Sequence, residues 1–198
     1  MAGPLVLRFV SSFSDVADLP PTEAEIAIVG RSNVGKSSLI NALANRRDLA
    51  KTSKTPGATR LLNAFEVGAE GSRRWLVDLP GYGYAKRSKA EQRQWANMIN
   101  GYLTEREELD EVIHLIDGEI GPTVLDTQTQ DWLAHIGLPV MYVATKADKI
   151  RPSKSKKRRA ELVDALGVAK SDVSWVSAAK GTGIPELRAR LARHIGLR

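Results

Sequence analysis

Apolar residues along the chain follow two alternating rhythms. Short runs at Ile26-Ala27-Ile28-Val29, Leu61 to Val67, Arg74 to Asp78, Val112 to Ile116, Leu138 to Ala144 and Val173 to Val176 have the length and content of strands. Between them apolar side chains recur every three or four positions, as on one face of a helix. Such faces are Leu39, Ile40 and Leu43 in a helix from Lys36 to about Asn45, and Trp95, Met98, Ile99, Tyr102 and Leu103 in one over about 88 to 107. Leu125, Trp132, Leu133 and Ile136 mark a third inner face, Ser153 to Leu166 a basic helix, and Leu187, Leu191 and Ile195 a last helix starting near Pro185. Strands alternating with helices predict an α/β fold: a three-layer domain with a mostly parallel six-stranded sheet and helices on both faces. The 198 residues are enough for one such core. The break at Pro20-Pro21 divides the chain into a domain over 22–198 and an N-terminal extension over 1–21, expected to pack on the domain edge.

Composition removes several alternatives. There is no cysteine, so disulfides and thiolate metal sites are excluded, and a reducing, cytoplasmic setting fits. His114, His135 and His194 lack metal-ligand spacing and read as surface or core-edge residues. No apolar run approaches the roughly 20 residues that span a bilayer. Leu5 to Val10 is too short for a signal core and carries Arg8. No exposed apolar seam argues for a dimer, so a monomer is expected.

The net charge is +6, and its distribution is uneven. Arg46, Arg47, Lys51, Lys54 and Arg60 face one acid, Asp48; Lys86, Arg87, Lys89 and Arg93 face one, Glu91. Arg151, Lys154, Lys156, Lys157, Arg158 and Arg159 face none within 151–159. Phosphate-rich RNA suits such surfaces, although lysines and arginines also simply solvate exposed faces.

Five short motifs carry the chemistry. Gly30-Arg31-Ser32-Asn33-Val34-Gly35-Lys36-Ser37-Ser38, between a strand and a helix, has the form of a phosphate-binding loop. Its glycines let successive N–H groups converge on phosphate oxygens, aided by the positive end of the following helix. Lys36 is placed to bridge the outer phosphates and Ser37 to ligate Mg²⁺. In Asp78-Leu79-Pro80-Gly81, at a strand end, Asp78 is placed to hold Mg²⁺ and Gly81 N–H to reach a γ-phosphate. The loop residues Gly57, Ala58, Thr59, Arg60 and Leu61 can fold over the nucleotide, with the Thr59 hydroxyl on Mg²⁺, or form a plain turn. Thr145-Lys146-Ala147-Asp148 offers a carboxylate for the N1–H and exocyclic amine of guanine, a pair that adenine lacks. The Lys146 stem can cover the base. Ser177, Ala178 and Ala179, before Lys180, can supply an N–H to guanine O6.

In this order the motifs resemble a translation-factor-class GTPase. Gly30 to Ser38, Lys54-Thr55-Pro56-Gly57-Ala58-Thr59, Asp78 to Ala85 (DLPGYGYA) and Thr145 to Asp148 more specifically resemble the EngB family of bacterial GTPases. The resemblance covers about 22–198, and Thr heading the guanine motif is usual there. It implies GTP/GDP binding with Mg²⁺, slow hydrolysis by Lys36, Thr59 and Gly81, and a switch role in assembling the large ribosomal subunit. The implied partners are the subunit precursor and its RNA, with a further link to septum formation in cell division. Asp117-Gly118-Glu119 departs from the family, which more often has a basic residue after the Asp; that position lies outside the expected nucleotide site and bears on a partner contact.

Two residues bear on rate. Tyr82 stands where Ras-like enzymes place a Gln that orients the attacking water, so slow turnover is expected; Tyr82 and Tyr84 can also simply pack a loop. Asn33 can offer its carboxamide to K⁺ beside the phosphates, or serve as a turn residue. A small-molecule kinase would not need Thr145 to Asp148 or Ser177 to Lys180. A GTP-dependent scaffold in cell division, not acting through ribosomal RNA, is the alternative.

Overall fold

The computed structural model describes residues 3–51, 61–83 and 89–196. In chain order the elements are β1 (Leu7–Phe13), β2 (Ala24–Gly30), α1 (Lys36–Ala44), β3 (Leu62–Val67), β4 (Arg74–Asp78) and α2 (Lys89–Glu105). They continue as β5 (Leu109–Asp117), α3 (Val124–Ile136), β6 (Val140–Thr145), α4 (Pro152–Leu166), β7 (Val173–Trp175) and α5 (Ile184–His194). The strands form one sheet in the order β1-β3-β4-β2-β5-β6-β7. Pairings of β1 with β3 and of β3 with β4 are antiparallel and the rest parallel.

The central strands are continuous apolar runs because both faces are covered. On one face Ile26 and Ile28 pack with Leu39, Ile40 and Leu43 of α1 and Leu187 and Leu191 of α5. On the other, Ala27 and Val29 meet Ile99, Tyr102 and Leu103 of α2 and Leu133 of α3. Leu162 and Leu166 of α4 cover Ile116, Tyr142 and Ala144. Trp95 and Met98 pack against this core, so the aromatic stripe of α2 is packing. The C-terminal carbonyls of α1 are capped from α5: Arg188 donates to Leu43 O (3.0 Å) and Ala42 O (2.6 Å).

Three expectations are corrected. The sheet has seven strands instead of six, because the N-terminal segment adds β1 at its edge. A register shift between Phe9 and Ser11 breaks the alternation by which β1 could have been recognised, leaving Phe9 and Val10 both exposed. Leu125 does not join the inner face of α3 and is 42% exposed; Asp126 turns inward in its place, wholly buried. His114 is not at the core edge but fully buried in the centre of β5.

Glu25, at the start of β2, is also wholly buried, and every oxygen is engaged. Thr22 Oγ1 (2.8 Å) and Arg106 Nη2 (2.7 Å) donate to Oε1, and the Tyr102 hydroxyl to Oε2 (2.7 Å). Arg106 also donates to Pro20 O at 2.6 Å, so this cluster joins the N-terminal segment, the foot of β2 and the end of α2.

Candidate nucleotide site

The strand ends of β2, β4 and β6 and the turn after β7 open at one edge of the sheet, as parallel topology requires. The phosphate loop leaves β2 at Gly30 and enters α1 at Lys36. Gly35 has φ 110°, a left-handed conformation that favours glycine, and it aims the first N–H groups of α1 into the loop. Val34 is buried in the core, and its carbonyl accepts the Thr145 hydroxyl at 2.6 Å. That bond explains Thr at the head of the guanine motif: it ties the end of β6 to the phosphate loop.

A cleft of about 590 Å³ contains Gly35, Ser38, Thr145, Lys146, Asp148, Ala178 and Ala179, with Arg46 and Arg47 at its rim. Asp148 accepts a hydrogen bond from the buried Ser177 hydroxyl, which orients one carboxylate oxygen; Lys180 N–H in turn donates to that hydroxyl (3.0 Å). Ala147 N–H is tied to Val176 O at 3.1 Å, which holds the two guanine-motif loops together. Lys146 is left-handed (φ 54°), and its ammonium donates to Asn33 O (3.0 Å) and Asp117 Oδ2 (2.6 Å). Its stem is thereby stretched between the guanine motif and the phosphate loop. The Asp117 carboxylate thus holds the lysine of the guanine motif, while the departure from the family falls on the residues after it, Gly118 and Glu119. Asn33 is itself left-handed (φ 65°), as a turn residue is.

A second cleft, about 580 Å³, brings Ser37 and Asp78 together with Asp48, Lys51, Leu61 and Asn63. Asp78 is buried, and its Oδ1 has no hydrogen-bond partner among the described residues. Burial raises its carboxyl to about 6, against the pull of Lys36 and of a hydrogen bond from Asn63. An orphaned buried carboxylate oxygen beside a serine hydroxyl suits Mg²⁺. No cluster of three or more His, Cys, Asp or Glu exists among the described residues. Mg²⁺ commonly completes its shell with water and phosphate oxygens, so one carboxylate and one hydroxyl suffice.

Gly81 lies directly over Lys36. A Cβ there would sit 2.9 Å from Ser32 N and 3.0 Å from Lys36 Nζ, so only glycine permits this approach. Leu79 is core, 1% exposed, and Pro80 O accepts the Trp95 indole N–H at 3.3 Å; both fix the strand end. Arg31 directs its guanidinium at Asp126, with Nε 3.3 Å from Oδ2, and away from the clefts. Gly57, Ala58, Thr59 and Arg60 lie outside the described residues, as does Tyr84.

Sequence reasoning missed Asn41, whose side chain bonds Arg47 O, Ala50 O and Ala50 N at 2.8–2.9 Å and so shapes residues 46–50 between the two clefts. Nothing in a single polar residue on α1 signals this. Asp126 was also missed, although Thr123-x-x-Asp126 is a capping box legible before α3.

His114 gives a test of the core beneath the site. It faces Tyr82, Asp126 and Tyr142, and burial lowers it to about 4 despite Asp126. The unfolded chain protonates near 6.5 and the folded one only near 4, so the unfolded state binds more protons between these values. Stability therefore falls as pH drops through that window, by up to about 3 kcal/mol from this residue. Asp78, raised to about 6, acts in the opposite sense over the lower part of this window. The readout is therefore a difference: in urea unfolding from pH 7.5 to 4 the parent should lose more stability than His114→Gln, and equal slopes would count against it.

A family model described as 50S ribosome-binding GTPase matches residues 25–146. A probable GTP-binding protein EngB from Pelotomaculum thermopropionicum is 46% identical over 192 residues, covering 96% of each chain. Its Myxococcus xanthus counterpart is 42% identical over 194 residues, covering 96% of this chain and 94% of its own. The crystal structure of a probable GTP-binding protein engB superposes with a TM-score of 0.69 at 22% identity, over 88% of this chain and all of that one, which speaks for the fold. Era in complex with MgGDPNP and nucleotides 1506–1542 of 16S ribosomal RNA gives a TM-score of 0.68 at 26% identity, over 89% of this chain and 58% of Era. With the phosphate loop, the oriented Asp148 and these relatives together, the chain belongs to the EngB family of GTP-binding P-loop GTPases.

Proposed function

We propose that this protein binds GTP and GDP with Mg²⁺, hydrolyses GTP slowly, and acts as a switch in assembling the large ribosomal subunit. Lys36 and Gly81 N–H would meet the γ-phosphate, with Ser37, Asp78 and Thr59 toward Mg²⁺; the metal would neutralise developing phosphate charge. Slow turnover follows from Tyr82, whose hydroxyl is committed to Asp126 and is not offered to an attacking water. The Lys146 contact takes only the Asn33 backbone carbonyl. A K⁺ beside the phosphates would therefore be held by the Asn33 carboxamide, and equal GTPase rates in KCl and NaCl would remove that role.

The observation that carries the ribosomal part is the start of α4. Six cations crowd residues 151–159 with no acid in the first turn, where the helix dipole disfavours positive charge. Lys154 and Lys156 are exposed and form no ion pair among the described residues. Such a surface costs the free protein stability and gains it on a polyanion. Era's structure with ribosomal RNA makes RNA the polyanion of choice. No helix among the described residues is long and apolar enough to cross a membrane.

The test is cosedimentation with large-subunit particles in GDP and in a GTP analogue. Binding should be stronger with the analogue, should fall with salt, and should weaken at least tenfold when Lys154, Lys156 and Lys157 are changed to Glu. Equal binding in both nucleotide states would remove the switch, and an unaffected triple variant the RNA surface.

A further inference from the structure

Glycine has no side chain with which to anchor itself, so the position of Gly81 over Lys36 is held by its surroundings. The Ser32 hydroxyl donates to Gly81 O at 3.4 Å, and the larger set of contacts belongs to the next residue, Tyr82. Its backbone forms a parallel bridge with Arg31: Ser32 N–H donates to Tyr82 O at 2.9 Å, and Tyr82 N–H to Gly30 O at 3.3 Å. Its side chain runs between β5 and α3. There the hydroxyl donates to Asp126 Oδ1 (2.8 Å) and lies 2.9 Å from His114 Nε2.

Counting protons orders this cluster. The hydroxyl has one hydrogen and a carboxylate can only accept, so that hydrogen goes to Asp126. The hydroxyl oxygen must then accept from His114 Nε2–H, which leaves Nδ1 as a bare lone pair. Nδ1 is indeed buried without a partner among the described residues. The other oxygen of Asp126 takes Thr123 N–H (2.8 Å) and the Thr123 hydroxyl (2.7 Å), and faces Arg31 Nε at 3.3 Å. Four separate parts of the chain, the phosphate loop, the residues after β4, β5 and α3, thus meet on one tyrosine. None of these side chains lines either nucleotide cleft.

We infer that Tyr82 is a positioning residue for the γ-phosphate: anchored by Asp126 and His114, it holds Gly81 against Lys36 before the nucleotide arrives, and thereby adds affinity for GTP that GDP does not receive. The inference rests on the guanine-nucleotide reading above. GDP has no group at Gly81, so the anchor is neutral toward it. GTP finds the N–H already in place and is spared the ordering of one or two backbone residues, worth about tenfold in affinity.

Calorimetry on the full chain with Mg²⁺ tests this, using GDP and the non-hydrolysable imido analogue of GTP. In Tyr82→Phe the affinity for the analogue should fall about tenfold while that for GDP stays within about twofold. A merely structural tyrosine would lower both together, or neither, and either result overturns the proposal. Amide hydrogen exchange on the unaltered protein gives a reading independent of how the variant folds. Ser32 and Tyr82 should be protected with GDP as well as with the analogue; protection with the analogue alone would show that the nucleotide, and not the anchor, orders Gly81. If the unaltered protein binds neither nucleotide, the functional reading itself fails.

Discussion

Asp148→Asn is expected to move nucleotide preference from guanosine to xanthosine, the largest functional effect of any single change at this site. The carboxylate can accept from both guanine N1–H and the exocyclic amine, two charge-assisted bonds of about 1.5–3 kcal/mol each. Asparagine keeps an oxygen for N1–H but turns an N–H donor toward the guanine amine. One such bond is lost and a buried donor is left unpaired, together about 2.5–6 kcal/mol, or between roughly 10² and 10⁴ in affinity. Xanthine carries an oxygen where guanine has its amine, and an asparagine N–H can donate to it. Ser177, which donates to Asp148, can also donate to the asparagine oxygen, so the loop should keep its shape. Calorimetry with GDP and xanthosine diphosphate reads the exchange. A uniform loss for both would point to loop collapse, and retained GDP binding would place the base elsewhere.

Glu25→Ala is expected to be the most destabilising of the changes considered. It strips Arg106, Tyr102 and Thr22 of a shared acceptor in a buried setting. Breaking such a pair by removing one partner costs about 3–5 kcal/mol, which for a domain of this size lowers the thermal midpoint by roughly 10 °C. Glu25 is at the foot of β2 and Gly30 at its top, about 17 Å away at the usual strand rise. Nucleotide affinity measured well below the midpoint should therefore be unchanged. A midpoint within 2–3 °C of the parent would show that the cluster is not holding the N-terminal segment and α2 together.

The two changes differ in how they could have been foreseen. Asp148 stands in a tetrapeptide after an apolar run, and the role proposed for it follows from neighbours in sequence. Glu25 is an ordinary acid before a strand until Arg106, 81 residues later, folds onto it. The same holds at the site: the phosphate loop, the Asp78–Gly81 turn and the guanine motif were legible, because each is a backbone shape that needs particular residues at adjacent positions. Leu125 was misassigned and Asp126 missed because helical spacing does not fix which face turns inward when a capping carboxylate is itself buried.

Local order along the chain thus determined the α/β class, the five motifs and the charge map, since turns, strands and helix starts depend on residues a few positions apart. Only the assembled fold decided that Lys146 is held by Asp117, 29 residues before it, and Tyr82 by Asp126, 44 residues after it. Only the fold, too, decided that the N-terminal segment completes the sheet as a seventh strand. Those side-chain pairs exist because parallel strands bring distant loops to one edge, and their partners are chosen by three-dimensional proximity and by the cost of leaving a buried polar group unpaired.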